Sequence, residues 1–379
     1  MGSEGSDTMI FDKPFIVFWE VTRACLLACK HCRAKAQRKP HPNELKLEEC
    51  YDLIDQLKKW NPILIITGGD PLMREDLFEI LEYADGMRIA IAFSGTKLAT
   101  EEKLKRFYDL GIARIAVSID GSNSEIHDYF RGKTGTFEIS MKILDMAREI
   151  GLSTQINTTV TRYNIHDLPN IMRICIDKEV DMWDVFFVVP TGRAKKELMP
   201  SAREFEDVMC WLYDVSKRTP LNVKSSAGCH FRRIEFMRDR GMYDIPHGKT
   251  YYELVKRLEG FEKEIVAGRS MALKRILGIT DGRGMLFISH VGDVYPSGFL
   301  PLKAGNVREN SLKEIYNESK IFQDLKDPER LKGKCGRCQF KHICGGSRAR
   351  AYAIFGDYLM QEPKCIYTPS SYDFNLSSA

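Results

Sequence analysis

The sequence predicts an α/β protein whose larger part is a parallel β-sheet covered by helices. Two observations carry this. Between residues 15 and 190, short apolar runs alternate six times with stretches whose apolar residues recur at helical spacing. Repeated β–α units of this kind pack as a parallel sheet, either barrel or doubly wound. Beyond residue 282 the texture changes to strand, Gly-Asp turn and strand, followed by a group of cysteines, which marks a smaller second unit.

The strands are expected at 15–21, 63–67, 88–93, 114–119, 154–160 and 184–189. Helical spacing runs through 46–59, 74–83, 101–108, 136–150 and 167–178. In such folds the chemistry gathers where strands end. The first strand end carries VTRACLLACKHCRAKA, with Cys25, Cys29 and Cys32 spaced by three residues and then two. Three thiolates on one loop can grip a small metal cluster while leaving one coordination position open, the form of a reactive metal site. The bland alternative is a group of buried free cysteines. Core packing gives no reason for three thiols in one strand-to-helix loop. The second strand ends in TGGDPL, where Gly68 and Gly69 let backbone approach closely and Asp70 offers a carboxylate; an ordinary glycine turn has the same pattern. Ser94, Ser118, Asp120 and Asn157 stand at or just past the next strand ends, and HDYFRG adds Arg131. For each, a turn cap or a solvated charge is the alternative.

Bulk composition bounds the rest. With 379 residues, 44% hydrophobic and 28% charged, the chain has the make-up of a globular protein large enough for one large and one small domain. A net charge of +4 gives no pointer to nucleic acid. No apolar run reaches membrane-spanning length, and MGSEGSDT lacks the pattern of a secretion signal. Eleven cysteines, clustered and odd in number, fit metal ligation in a reducing cytoplasm better than disulfides.

From residue 201 to 278 the signals weaken. Residues 202–218 and 252–267 read as helices, joined by the basic stretch SSAGCHFRRIEFMRDR with Cys229, His230, Arg232 and Arg233. Those four meet a substrate carboxylate or an iron, or simply belong to a surface link. Cys50, Cys175 and Cys210 lie in helical patterns and read as core. In the tail, Cys335, Cys338, Cys344 and Cys365 are separated by two, five and twenty residues. Four thiolates complete a closed tetrahedral shell for an iron–sulfur cluster or a structural zinc. A zinc ribbon would favour two matching Cys-x2-Cys pairs, and the second pair is missing.

The Cys-x3-Cys-x2-Cys loop after a first strand resembles the signature of the radical S-adenosylmethionine (SAM) enzymes. That resemblance implies a partial six-stranded (β/α) barrel. It also implies a 4Fe-4S cluster on Cys25, Cys29 and Cys32, whose open iron is chelated by the methionine part of SAM. TGGDPL is similar to the family's Gly-Gly-Glu-Pro motif, with Asp70 in place of the commoner glutamate. The resemblance assigns Gly68, Gly69, Asp70, Ser94, Ser118, Asp120, Arg131 and Asn157 to SAM. The tail resembles the SPASM extension of such enzymes. Tyr295-Pro296-Ser297 stands where a hairpin cysteine is usual, so one auxiliary 4Fe-4S cluster on Cys335, Cys338, Cys344 and Cys365 is expected. The organisation implied is a flexible leader over 1–13, a barrel over 14–200, a helical link over 201–280, a SPASM-like domain over 281–369 and a flexible tail over 370–379.

The phrases WEVTRACLLACKHCRA, GDVYPSGFLP and CGGSRARAYAIFGDY are similar to the heme-pathway branch of the family. That likeness implies oxidative decarboxylation of iron-porphyrin propionates and a low-potential electron donor such as a ferredoxin or flavodoxin. Arg232, Arg233, Arg348 and Arg350 are candidates for the propionates, and His230, His290 or Cys229 for an axial ligand to the porphyrin iron. A maturase acting on a ribosomally made peptide is the alternative within the family, and the short stretch before the first strand leaves little room for its usual leader-binding domain. A non-catalytic zinc or electron-transfer protein is the alternative outside it.

Overall fold

The computed structural model describes residues 11–259 and 278–369. Much of the expected leader, the 370–379 tail and the 260–267 end of the expected second helix in the link lie outside the described residues. Six β–α units open the chain. They are β1 (Ile16–Glu20), α1 (Leu47–Trp60), β2 (Ile63–Thr67), α2 (Leu77–Tyr83), β3 (Ile89–Phe93), α3 (Glu101–Asp109), β4 (Arg114–Ser118), α4 (Ser124–Arg131), α5 (Thr136–Ile150), β5 (Thr154–Val160), α6 (Leu168–Asp177) and β6 (Met182–Phe187). Next come α7 (Ala202–Arg218), β7 (Val223–Ser226), α8 (Phe231–Asp239), α9 (Lys249–Glu259), β8 (Met285–Ile288), β9 (Asp293–Tyr295) and β10 (Gly305–Asn306).

Among the described residues all ten strands belong to one sheet, ordered β10-β9-β8-β1-β2-β3-β4-β5-β6-β7. Strands β1 to β6 pair in sequence order and in parallel. The order has two free ends, so this is an open, partial barrel rather than a closed one. Two strands extend the parallel run beyond the expected six. β7, inside a stretch that reads as helices alone, pairs with β6. β8, expected only as half of a hairpin, lies parallel to β1 with Ile16 against Met285 and Trp19 against Ile288. The tail hairpin is thus continuous with the barrel sheet, and β9 turns back on β8 through Gly292 at φ 83°.

Local chemistry explains the remaining departures. α4 exists because the Asn123 side chain caps the Ile126 N–H at 3.0 Å and Gly132 ends the helix in the left-handed conformation. α2 begins at Leu77 rather than 74 because Pro71–Met73 form a 3-10 turn and Arg74 is extended. β6 ends at Phe187, two residues short of the expected 189, because the carbonyls of Phe187 and Val188 accept from the Arg350 guanidinium instead of a strand.

Burial follows the pattern a covered parallel sheet requires. Val17, Trp19, Leu64, Ile66, Ile91, Val117, Ile156 and Val185 are fully or almost fully buried. Trp183 meets Trp211 of α7 edge-on at 6.1 Å, with its indole N–H on Thr158 Oγ1 at 2.9 Å. The strand ends therefore sit on a stiff platform. Ile288 is 0% exposed on the strand that joins the tail to the barrel. Ile288→Ala should lower the unfolding free energy in urea by about 2–5 kcal/mol; a change below about 0.5 kcal/mol would show that β8 does not pack as described.

Candidate active site and auxiliary cysteine site

The loop after β1 holds its three cysteines at the strand ends. Cys25 and Cys29 are buried and Cys32 is half-buried, and all three thiols are free. Leu27 packs between Cys25 and Cys29, with Cys32 and Ala36 against them. Burial pushes the thiols of Cys25 and Cys29 up, and each also feels a neighbouring cysteine. Three thiols on one loop are a donor set that fits a metal cluster, and a bound cation would offset the cost of ionising them.

Neighbouring loops fix this one from every side. Gly69 N–H donates to Thr22 O at 2.8 Å and Asp70 N–H to Ala24 O at 2.7 Å. A Cβ on Gly69 would stand 2.2 Å from Ala24 O, so only glycine lets the two backbones meet. The close approach read from TGGDPL is therefore made to the cysteine loop itself. Asp70 is fully buried and accepts from Leu72 N–H and from Thr96 Oγ1. Ser94 Oγ reaches Gly69 O at 3.2 Å and Cys25 Sγ at 3.5 Å.

Arg131 and Asp120 come together in a buried ion pair of 2.7 Å. The same guanidinium points at Cys29 Sγ, 3.8 Å away. Asp120 also receives the Thr159 N–H at 2.7 Å. Asn157 accepts from the Gln155 amide, and Ser118 stands opposite it in register. Thus Gly68, Gly69, Asp70, Ser94, Asp120 and Arg131 interlock around the cysteine loop, while Ser118 and Asn157 lie along the β4–β5 pair.

Two features went unread in the sequence. Gly192 and Arg193 follow β6; Arg193 gives its backbone N–H to Cys32 O and its Nε to Cys29 O, both at 2.9 Å. A Cβ on Gly192 would stand 2.3 Å from Cys32 O. The glycine-basic pair after a strand in PTGRAKK was the available signal. The second is a trio at the β1 end, with Glu20 and His290 buried and Arg33 half-buried. Glu20 holds His290 Nδ1 at 2.7 Å through one carboxylate oxygen and Arg33 at 2.9 Å through the other, and Arg33 lies over the Phe287 ring. Burial would raise the Glu20 carboxyl, but the Arg33 guanidinium and the hydrogen bond with His290 hold it below the usual range.

The tail cysteines line one cavity, together with His230, Arg233, Phe340, Glu362 and Tyr367. Burial raises the thiols of Cys338, Cys344 and Cys365, that of Cys365 to about 12. Cys335 Sγ accepts the Glu362 N–H at 3.2 Å and faces Arg348 Nη2 at 3.7 Å. Four thiols lining one cavity are the donor set that a four-iron cluster with every iron covered requires.

The arginine expectations need correction. Arg350 is completely buried, bonded to Glu362 at 2.8 Å and to the carbonyls of Phe187 and Ala227. Arg348 is committed to the carbonyls of Tyr358 and Met360. Arg233 makes a buried ion pair with Glu206 at 2.6 Å. None of the three is available to a substrate propionate. Arg232, half-buried with a bond to Ile343 O, remains. Cys229 and His230 are buried beside the tail cysteines and not on a surface link.

The environment of Asp70 generates a pH test. Burial, only partly offset by the Thr96 and Leu72 bonds, raises its carboxyl to about 6, against about 3.9 in an unfolded chain. Between these values the folded chain keeps a proton that the unfolded chain releases. Stability should then fall as pH rises from about 4 to about 6, by about 3 kcal/mol across that window. Asp70→Asn should remove that decline, read as the difference between the two proteins' unfolding free energies; a difference independent of pH would contradict it.

Comparison with known proteins agrees with this geometry. Residues 19–175 match the radical SAM superfamily, and residues 280–339 match an iron-sulfur cluster-binding domain, SPASM. The AdoMet-dependent heme synthase of Oleidesulfovibrio alaskensis is 40% identical over 360 residues, 93% of this chain and 87% of that protein. That of Methanosarcina barkeri is 38% identical over 359 residues, 94% and 97% of the two chains. Among solved structures, SuiB of Streptococcus suis bound to the precursor peptide SuiA shares the fold, with a TM-score of 0.67, 16% identity, and 94% and 76% of the chains covered. A radical SAM domain brings a 4Fe-4S cluster and SAM, and the SPASM domain brings auxiliary iron–sulfur chemistry. The cysteine loop on a partial barrel, the second cysteine wall and these relatives agree: the chain is a radical SAM enzyme and belongs to the family of the AdoMet-dependent heme synthases.

Proposed function

We propose that this enzyme decarboxylates the propionate side chains of an iron porphyrin such as Fe-coproporphyrin III to vinyl groups. Cys25, Cys29 and Cys32 would hold the reactive 4Fe-4S cluster, and Cys335, Cys338, Cys344 and Cys365 one auxiliary 4Fe-4S cluster. When bound, the first cluster and SAM supply a 5′-deoxyadenosyl radical that takes one hydrogen atom from the propionate β-carbon. Loss of carbon dioxide and one electron then completes the double bond. The observation that carries the reading is the pairing of a three-thiol loop, one ligand short, with a complete four-thiol wall in a chain about 40% identical to heme synthases across its length.

The protein's own groups support each part. Gly68 and Gly69 present backbone beside the cysteine loop for the SAM amino group. Asp70, engaged with Leu72 and Thr96, shapes that turn from behind. Ser94, Ser118, Asp120, Arg131 and Asn157 build the remaining wall for SAM. The Asp120–Arg131 pair braces Cys29. His290 is held at Nδ1 by Glu20 and has no hydrogen bond at Nε2 among the described residues. A carboxylate-fixed imidazole of this kind is a good axial ligand for a porphyrin iron. Exposed Lys35, Arg38 and Lys39 beside the cysteine loop suit an acidic, low-potential donor such as a ferredoxin or flavodoxin. Among the described residues no helix is long and apolar enough to cross a membrane. Eleven free thiols support work in a reducing cytoplasm.

Anaerobically reconstituted enzyme should hold about eight irons, two four-iron clusters. With SAM and a strong reductant it should form 5′-deoxyadenosine. Fe-coproporphyrin III should raise that yield and release carbon dioxide. Cys25→Ala should halve the iron and abolish the nucleoside product. Deoxyadenosine formation indifferent to the porphyrin but stimulated by a peptide would overturn the substrate in favour of a maturase. Zinc in the tail with no deoxyadenosine would overturn the enzyme reading altogether.

A further inference from the structure

His230 is a buried polar group without a hydrogen-bond partner among the described residues. It caps the start of α8, is 0% exposed, and among the described residues neither Nδ1 nor Nε2 has a hydrogen-bond partner. A buried polar atom left unbonded costs about 1–3 kcal/mol, so a fold keeps one only where something satisfies it. The wall His230 shares answers what that is, because it carries Cys335, Cys338, Cys344 and Cys365. One helical turn away, Arg233 lines the same cavity. Its Nη2 is bound to Glu206, and its buried Nε has no hydrogen-bond partner among the described residues either.

Two residues with unpartnered nitrogens therefore line the same cavity as the four thiols. A four-iron cluster on four thiolates has every iron covered, so an imidazole there acts on sulfur rather than as a ligand. Such a cluster is a dianion in its oxidised resting form and gains a further negative charge on reduction. N–H donors to its sulfurs, and a fixed guanidinium beside them, stabilise the reduced form and raise the potential. The proposed reaction needs that property, since each decarboxylation releases one electron that must be accepted within the protein.

We infer that His230, with Arg233, donates hydrogen bonds to the sulfurs of the auxiliary cluster and sets its potential high enough to take the substrate's electron. This rests on the auxiliary-cluster reading above. The test is an EPR-monitored redox titration of the holoenzyme with His230→Leu, which removes the donor, and His230→Gln, which keeps one. The Leu variant should shift the auxiliary reduction equilibrium toward the oxidised form by about tenfold, about 59 mV for a one-electron couple. The Gln variant should recover part of that shift, and the SAM cluster should not move in either. An unmoved auxiliary potential in the Leu variant, or an equal shift in both variants, would overturn the inference. Should the Leu variant fail to hold its cluster, wild-type enzyme carrying isotopically labelled imidazole nitrogens decides it. Weak nitrogen coupling to the reduced auxiliary cluster is expected; none, or the strong coupling of an iron ligand, would contradict it. About four irons in the wild type would overturn the auxiliary-cluster reading and this inference together, whereas about eight irons with an unmoved potential would overturn this inference alone.

Discussion

One loop with only three sulfur donors, held rigid by its neighbours, is the constraint on which the rest of the molecule depends. A flexible trio of cysteines would let a fourth side chain swing in and close the shell. Here the loop's carbonyls are tied down: Leu26 O by Arg38, Ala34 O by Arg23, and Cys29, Cys32 and Ala36 by Arg193. Gly69 and Gly192 press backbone against it where any side chain would collide. Strand ends from both halves of the barrel thus hold the loop, and its geometry is a property of the whole sheet.

The second cysteine site is joined to the barrel through buried charge. Arg350 links the carbonyls at the ends of β6 and β7 to Glu362, and Glu362 receives the Ser347 N–H while giving its own N–H to Cys335 Sγ. Removing one partner of such a fully buried pair is far more costly than the pair's net worth. The arrangement therefore fixes position more than it adds stability. β8 lying parallel to β1 makes the same connection through the sheet.

Much of this was legible in the sequence, for physical reasons. β2, β5, α5 and α7 fall on the residues that alternation and helical spacing mark, because both faces of a covered sheet and one face of each helix must be apolar. β7 was not legible: its four residues, VKSS, form a short edge strand with little apolar content. The basic residues were misread for a deeper reason. Sequence shows that Arg233, Arg348 and Arg350 are charged, but not that Glu206, Glu362 and a set of carbonyls wait for them in the interior. Arg193 was passed over for the converse reason: its partners are backbone atoms, and only the glycine before it hinted at them. Cys229 and His230 looked like part of a surface link because the long-range packing of α8 against the tail leaves no periodic trace.

The most direct measurement is electron–nuclear double resonance on the reduced holoenzyme mixed with SAM labelled isotopically in its amino and carboxylate groups. Both groups should couple to the cluster on Cys25, Cys29 and Cys32, as expected when an iron bound only by the cluster's own sulfides, with no cysteine on it, takes the methionine end of SAM. If neither group couples, or if the fourth iron of that cluster carries a protein ligand with SAM present, the open position does not exist and the account of this enzyme fails.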